Sequence, residues 1–397
     1  MPLSNLSERL FGLLSRRTSS GTFLPEVDGI RFFAILAVMF EHAGIDLAVA
    51  RGQGYQVGWS QGHGLLLRLI GEGWFGVELF FVLSGFIVSL PFALHRFQGA
   101  PAPAISRYFL RRLTRIEPPY IMALTAMYLK PWSFRHFLPD YAAGLIYSHM
   151  LIFGAANPLA IFTWSLEVEV SFYLVAPWLT RIYRFRNKRL RWLLQLAMIA
   201  AVAWLAQFGP PMPRFKSTFA QMMNYFLAGI LFADLYASGL IRRSARFIWD
   251  IVAIAASALL AILISRPAAS FFWLDPILIL LIFTGIFGGR FLNRLFRLRA
   301  LTAIGGMCYT LYLWHGLILM SLPYRLKELF FALSYTRGIL LYCLLIVPAM
   351  IAICVPIYLL TEKPFMNGPG SRLLESRLRA LGRIWKSPAE QTAEISG

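Results

Sequence analysis

Two ionisable residues in an apolar stretch near the start of the chain could carry chemistry. Arg31 and His42 lie eleven positions apart in a segment that is otherwise mostly apolar. On a helix turning ~100° per residue they return to within about 20° of the same face, about 16 Å apart along the axis. Ionisable groups inside a membrane usually face a bundle interior or a wet cavity. We therefore predict that His42 is a general base, since a neutral imidazole accepts a hydroxyl proton near neutral pH.

Carboxylates accompany the histidine. Glu41 precedes His42 and would point about 100° away from it on a helix. We expect Glu41 to pair with a cation on another helix, and such an ion pair is at least as plausible as catalysis. Glu169 lies about one turn beyond Trp164 and would need a partner inside the membrane, whereas Glu167 is expected at the solvated surface.

An arginine pair could bind phosphate. Arg112 and Arg115 are three positions apart and share a face if the segment is helical. Guanidinium groups hold phosphate oxygens in bidentate pairs. Arginines at a membrane edge also serve as topology anchors, and for this pair alone that reading is favoured. Arg31, predicted on the same side, shifts the balance toward a phosphate site.

The remaining reactive side chains give weaker signals. His315 lies in the outer half of a later apolar segment, where a lone histidine is usually a hydrogen-bonded structural group. The three cysteines also lie in apolar segments, and they suggest neither a disulfide framework nor a metal site. They are Cys308, Cys343 and Cys354.

The composition sets the class of protein. Of 397 residues, 58% are hydrophobic and only 14% are charged, whereas soluble domains carry about a quarter charged residues. Apolar runs of membrane-spanning length recur throughout, so we predict an all-α polytopic membrane protein. The net charge of +19 does not indicate nucleic-acid binding, because the basic residues form short blocks between apolar segments, as topology requires.

The apolar segments predict about ten transmembrane helices with both termini in the cytoplasm. Residues 1–26 form a basic cytoplasmic segment, 27–365 the membrane domain and 366–397 a basic cytoplasmic tail. The predicted helices are about 28–49, 73–95, 112–129, 163–181, 191–208, 218–238, 247–265, 271–289, 301–322 and 337–361.

Hydropathy alone does not decide the course of the chain at two places. If segment 134–156 spanned the membrane, the basic run 181–191 would fall outside, so the positive-inside rule favours a re-entrant or outer-surface position for 134–156. The third helix begins near Arg112, and Pro118-Pro119 predicts a kink or a fresh helix start within it.

Six short motifs in order resemble the membrane-bound acyltransferase family 3. The resemblance covers about residues 25–365. One departure is Glu78, which stands where the family often has aspartate. The motifs are Asp28-Gly-x-Arg31 leading to His42, Phe80-Phe81-Val82-Leu83-Ser84-Gly85-Phe86, Arg111-Arg112-x-x-Arg115, Trp164-Ser165-Leu166 with Glu169, Tyr312-Leu-Trp314-His315, and Glu362-x-Pro364.

The resemblance implies an enzyme of the inner membrane that transfers acetyl or another short acyl group to carbohydrate hydroxyls. Acceptors in the family include lipopolysaccharide and exopolysaccharide, and the acceptor could be lipid-linked. It implies that His42 is catalytic, with Glu169 and Glu41 as the further candidate catalytic residues, and that Arg31, with Arg111, Arg112 and Arg115, serves the donor. We expect acyl-CoA as co-substrate, with no resident cofactor and no metal.

Two other functions fit the same residues. A transporter or flippase would line its pathway with intramembrane charges, although no inverted repeat is visible. An enzyme with an undecaprenyl-linked donor would use the arginines to hold a lipid pyrophosphate. Thioester hydrolysis by the purified protein separates the acyl-CoA enzyme from both.

Overall fold

A computed structural model describes residues 12, 14, 23–52, 63–129, 137–208, 214–241, 246–265, 274–366 and 369–384. These residues form helices, turns and short connections without a β-strand. Most of the predicted N-terminal segment, the centre of the Gly-rich loop after the first helix, and the end of the tail lie outside the described residues.

Seventeen α-helices make up the described chain. They are α1 (Pro25–Ala50), α2 (Leu65–Gly71), α3 (Phe75–Gln98), α4 (Ile105–Tyr128), α5 (Leu138–Leu145), α6 (His149–Phe153), α7 (Trp164–Leu179), α8 (Lys188–Phe208), α9 (Arg214–Ala237), α10 (Phe247–Ile264), α11 (Asp275–Gly288), α12 (Phe291–Phe296), α13 (Arg299–Gly306), α14 (Cys308–Ser321), α15 (Tyr324–Glu328), α16 (Tyr335–Ile357) and α17 (Pro369–Ile384).

Five helices in the described residues are long and apolar enough to cross a membrane: α1, α3, α8, α10 and α16. The α13–α14 pair, bent by 65°, gives a sixth if it is counted as one span. This supports a membrane-embedded all-α protein. The count of about ten spans stays a prediction.

Helix α1 begins earlier than its apolar run predicts. Pro25 occupies the first helical turn, where its missing N–H costs nothing, and two acidic residues follow in that turn. Carboxylates near a helix N-terminus are stabilised by the helix dipole. These are Glu26 and Asp28.

Helix α4 corrects two expectations. It begins at Ile105 rather than near Arg112, directly after a Pro-rich connection whose last residue, Ala104, is extended. It also continues as one helix through Pro118-Pro119, so the fresh helix start that was one of the two alternatives there is wrong. Neighbouring helices hold the segment, because the Tyr309 hydroxyl donates to the Ile116 carbonyl at 3.0 Å. The longer helix carries all four arginines of this region: Arg107, Arg111, Arg112 and Arg115.

The described part of segment 134–156 folds into two short helices, α5 and α6. The eight residues of α5 rise only about 12 Å, well short of the ~30 Å hydrocarbon core. Neither helix crosses the membrane, in line with the re-entrant or surface position favoured by the basic run that follows.

Helix α3 lies between α1 and α9 in very close contact. A Cβ on Gly85 would fall 2.2 Å from the Phe226 carbonyl oxygen, and one on Gly229 would fall 2.1 Å from the Val82 carbonyl oxygen. A Cβ on Gly76 would fall 2.3 Å from a carbonyl of α1. Small residues let membrane helices approach this closely, and the contact fixes the face of α3 that carries Ser84.

We expect Asn187 to be cytoplasmic and Ala332 external, because basic blocks remain inside. Both are exposed. In intact cells, an impermeant maleimide should label Ala332→Cys but not Asn187→Cys, in a variant that lacks Cys308; the other cysteines are buried. Gly54, also expected outside, lies beyond the described residues. Labelling at position 187 from outside would contradict the topology.

Candidate active site

The two histidines of the sequence motifs meet in the structure. His42 on α1 and His315 on α14 lie with Nδ1 of the first 3.0 Å from Nε2 of the second. Their rings are stacked with centroids 4.9 Å apart. His315 is fully buried, whereas His42 is partly exposed. The residue that sequence reasoning treated as a lone structural histidine is therefore the direct partner of the proposed base.

The surrounding bonds assign the tautomer of both rings. His315 Nδ1 lies 3.0 Å from the Leu311 carbonyl oxygen, which can only accept, so this nitrogen carries a proton. In neutral His315 the Nε2 atom is then an acceptor, and His42 Nδ1 must donate to it. The lone pair of neutral His42 is left on Nε2, which has no hydrogen bond with any described residue. The pair presents one proton-accepting atom.

An aromatic and hydroxyl frame holds His315 in place. The Phe162 ring lies 4.8 Å from the His315 ring, centroid to centroid. The Tyr312 hydroxyl donates to the Phe162 carbonyl at 2.8 Å and lies 3.2 Å from the Ser165 hydroxyl. The segment before α7 and helix α14 therefore hold each other, and the orientation of His315 is fixed.

Two adjoining cavities lead from the arginines toward this pair. The wider one, about 700 Å³, lies among the start of α1, the end of α3, the start of α4 and the C-terminal helix α17. The narrower one, about 110 Å³, reaches from Arg31 to Val38, one turn before His42, and to Ser165 and Tyr312 beside His315. Arg112 and Arg115 line both cavities.

All four arginines predicted to serve the donor lie along this path. Arg31 lines the narrow cavity and donates to Asp28 at 2.7 Å. Arg112 lies over the Tyr173 ring, 4.7 Å from its centroid, an arrangement that orients the guanidinium. Arg111 lines only the wide cavity. The cluster that the sequence suggested from separate motifs is thus one continuous basic surface.

Glu169 lies in the narrow cavity among three arginines and finds neutral partners. Its Oε1 atom accepts hydrogen bonds from the Ser84 and Tyr173 hydroxyls. The sequence predicted that this carboxylate needs a partner, and Ser84 of the Phe-rich motif provides one across α3 and α7. Three guanidiniums and one carboxylate thus line the narrow cavity, and one of the guanidiniums, Arg31, is also paired with Asp28.

Three other carboxylates lie away from the cavities. Glu41 faces the turn between α2 and α3, since a Cβ on Gly73 would fall 2.8 Å from the Glu41 Cβ, and no described cation lies within ion-pair distance of it. Glu78 is fully buried and accepts from the Tyr225 hydroxyl at 2.5 Å. Glu167 corrects an expectation: it is buried rather than solvated, because it accepts the Met150 N–H at 2.9 Å.

A second histidine site, missed in the sequence, is structural. His149 Nε2 lies 2.7 Å from an Asp140 carboxylate oxygen, and Nδ1 lies 2.9 Å from the Ala155 carbonyl oxygen. Both ring nitrogens are thus engaged by acceptor oxygens of neighbouring groups. This pair ties α5 to α6. Trp164 is also a packing residue, with its ring edge-on to Phe81 at 6.4 Å.

Two further residues of the narrow cavity, Cys308 and Tyr309, were not predicted as site residues from the sequence. Tyr309 could have been found from its spacing, because it lies three positions before Tyr312 and so shares its face. In the described residues no group of three or more His, Cys, Asp or Glu side chains is placed to hold a metal ion.

Comparison with known proteins identifies the family of the chain that carries this site. The model of the acyltransferase family 3, described as an acyltransferase domain, matches residues 24–359. The chain belongs to this family. It is therefore an acyl-transferring enzyme, and the histidine pair and basic cavities lie within or beside the matched region. No solved structure matches this acyltransferase.

Curated relatives are similar over parts of their length. The peptidoglycan O-acetyltransferase OatA of Listeria monocytogenes is 23% identical over 75% of this acyltransferase and 49% of the relative. The putative peptidoglycan O-acetyltransferase YrhL of Bacillus subtilis is 25% identical over 41% of this acyltransferase and 24% of the relative. The acyltransferase MdmB of Streptomyces mycarofaciens is 25% identical over 55% of this acyltransferase and 59% of the relative. The chain thus spans about half or less of the two peptidoglycan enzymes.

Replacing His315 tests whether it positions the base. His315→Leu removes the acceptor for His42 Nδ1–H, so His42 loses its fixed tautomer and orientation. We expect kcat to fall by at least about tenfold, as when partners that orient a catalytic ring are lost, with an unchanged donor KM. His315→Gln keeps an acceptor oxygen and should retain more activity than leucine. Full kcat in the leucine variant would leave His315 only a packing role.

Proposed function

We propose that the protein is a membrane O-acyltransferase that moves an acyl group from acyl-CoA to a hydroxyl of a carbohydrate. The observation that supports it best is the histidine pair, which leaves His42 Nε2 as its proton-accepting atom, one helical turn beyond Val38 of the arginine-lined narrow cavity. A base one turn beyond a cavity that arginines line would suit a donor with phosphates at one end and a thioester at the other.

The two cavities suit the two parts of acyl-CoA. A volume of about 700 Å³ is in the range of small-molecule sites and suits a nucleotide, whose phosphates the arginines would bind. The narrow cavity of about 110 Å³ admits only a slender chain. The pantetheine arm would enter it and cover the about 16 Å of helix rise between Arg31 and His42.

The reaction needs one base and one nucleophile. As the acceptor oxygen bonds to the thioester carbonyl carbon, its proton moves to His42 Nε2. The carbon–sulfur bond then breaks, and the CoA thiolate takes the proton back from His42, so the base is regenerated. Holding both reactants in line with the base supplies further rate by proximity.

The acceptor and the location rest on family and topology. The family resemblance and the peptidoglycan relatives favour a carbohydrate hydroxyl on a surface glycan such as lipopolysaccharide or exopolysaccharide. Lipid-linked glycans are among the candidate acceptors. The basic cavity faces the predicted cytoplasmic side, where acyl-CoA is available. We place the enzyme in the inner membrane with both termini in the cytoplasm, because its basic blocks fall on that side.

His42 variants test the chemistry. His42→Ala should abolish acylation, because a general base contributes about 10²–10⁴-fold to rate. His42→Gln keeps hydrogen-bonding capacity but takes up no proton, so it should be nearly as damaging. Acyl transfer and CoA thiol release by purified protein measure both. Near-full activity in the glutamine variant would return His42 to a structural role, and absence of thiol release by the wild type would reject an acyl-CoA donor.

Cys308 reports directly on donor binding. It is partly exposed and lines the narrow cavity, whereas Cys343 and Cys354 are buried. We expect CoA to slow alkylation of Cys308 by N-ethylmaleimide at least about threefold, and this protection to vanish in the double variant Arg112→Ala/Arg115→Ala, because lost phosphate contacts weaken binding. Mass spectrometry of the Cys308 peptide measures the rate.

The matched control is Arg189→Ala, which removes an exposed arginine of the same predicted membrane side and should keep full protection. Equal alkylation of the wild-type protein with and without CoA would show that the donor does not use this cavity.

A further inference from the structure

The C-terminal helix α17 forms a wall of the wide cavity although it lies outside the family match. The matched region ends at residue 359, and α17 covers Pro369–Ile384. Ser371 and Glu375 line the cavity together with Phe365 and Met366. Ser371 is only 5% exposed, so it belongs to the buried part of the cavity wall and not to the open surface.

The chain before α17 is tied to the membrane domain. After α16 it continues as a π-helical turn, Tyr358–Glu362, and a 3₁₀ turn, Lys363–Phe365. Glu362 accepts two hydrogen bonds from Thr310, at 3.0 Å from its N–H and 2.6 Å from its hydroxyl. Since Thr310 is on α14, the start of α17 is fixed to the helix that carries His315.

The start of α17 itself packs closely. A Cβ on Gly370 would fall 3.0 Å from the Phe365 ring, and α17 contacts α4, which carries the donor arginines. The position of Ser371 opposite the arginines is therefore set by packing on two elements.

The two faces of α17 differ. Ser371 and Glu375 are four positions apart and share one face, which is the cavity face. Arg372, Ser376 and Arg377 are exposed on the remainder of the helix. The wide cavity thus has arginines on α4 and a hydroxyl with a carboxylate on α17.

This distribution of polar groups matches a nucleotide. Guanidiniums bind phosphates, whereas a carboxylate and a serine hydroxyl accept hydrogen bonds from ribose hydroxyls and from the amino group of adenine.

We propose that α17 is the nucleoside-binding wall of the donor site, with Ser371 and Glu375 facing the adenosine part of the donor. This rests on the proposed acyl-CoA function and adds to it a region beyond the matched domain. Two helices then recognise the nucleotide of the donor. The arginines of α4 bind its phosphates, and α17 binds its nucleoside.

The experiment compares Ser371→Trp, which fills the cavity wall, with Ser376→Trp, the same substitution on the exposed side of the same helix. Affinities are measured by calorimetry on the full chain in nanodiscs for two ligands, CoA and 4′-phosphopantetheine, which lacks the nucleotide. We expect Ser371→Trp to weaken CoA at least about tenfold and to leave phosphopantetheine within about twofold. Ser376→Trp should change neither. Glu375→Gln, which keeps the shape of the wall, should also weaken CoA selectively.

Two outcomes overturn the assignment. If Ser371→Trp leaves CoA affinity unchanged, or weakens both ligands equally, α17 does not recognise the nucleoside. A wild-type protein that binds neither ligand rejects the acyl-CoA function itself, and the two failures are thereby distinguished. The Cys308 alkylation rate without ligand, unchanged in Ser371→Trp, shows that the narrow cavity of the variant is intact.

Discussion

The hydrogen bond between His42 and His315 is the interaction on which the chemistry of this protein depends. It joins two helices whose residues are 273 positions apart in the chain. An imidazole has two ring nitrogens, and which of them is basic depends on what the other one bonds. The Leu311 carbonyl fixes His315, and His315 fixes His42, so a backbone oxygen of α14 decides which atom of α1 can take a proton.

The charged groups of the cavities also depend on the partners that each of them contacts. Charged groups among membrane helices are costly unless they are paired or wetted. Arg31 pairs with Asp28, Arg112 lies on an aromatic ring, and Glu169 is held by two hydroxyls rather than by a guanidinium. Because Glu169 takes neutral donors, it does not itself neutralise a guanidinium of the cavity. An ion pair at that point would have neutralised the anion site.

Close helix contacts make this arrangement rigid. The glycines of α3 and α9 bring the two backbones together, and on α13 a Cβ at Gly305 would fall 1.8 Å from the Asp28 carbonyl oxygen of α1. Backbones at this distance leave no room for a sliding helix. Ser84 therefore reaches Glu169 on one side of α3, while Gly85 packs on α9 on the other.

The sequence by itself determined the class, the family and the parts of the site that lie on one helix. Composition predicts a helical membrane protein, and helical periodicity places Arg31 with His42 and Arg112 with Arg115, because residues on one helix keep a fixed angular relation. Only the tertiary structure decided which helix faces meet. It paired His42 with His315, turned Glu41 toward the turn between α2 and α3, buried Glu167 and brought α17 to the arginines. Contacts between distant helices depend on packing of whole surfaces, which the periodicity of a single segment does not encode.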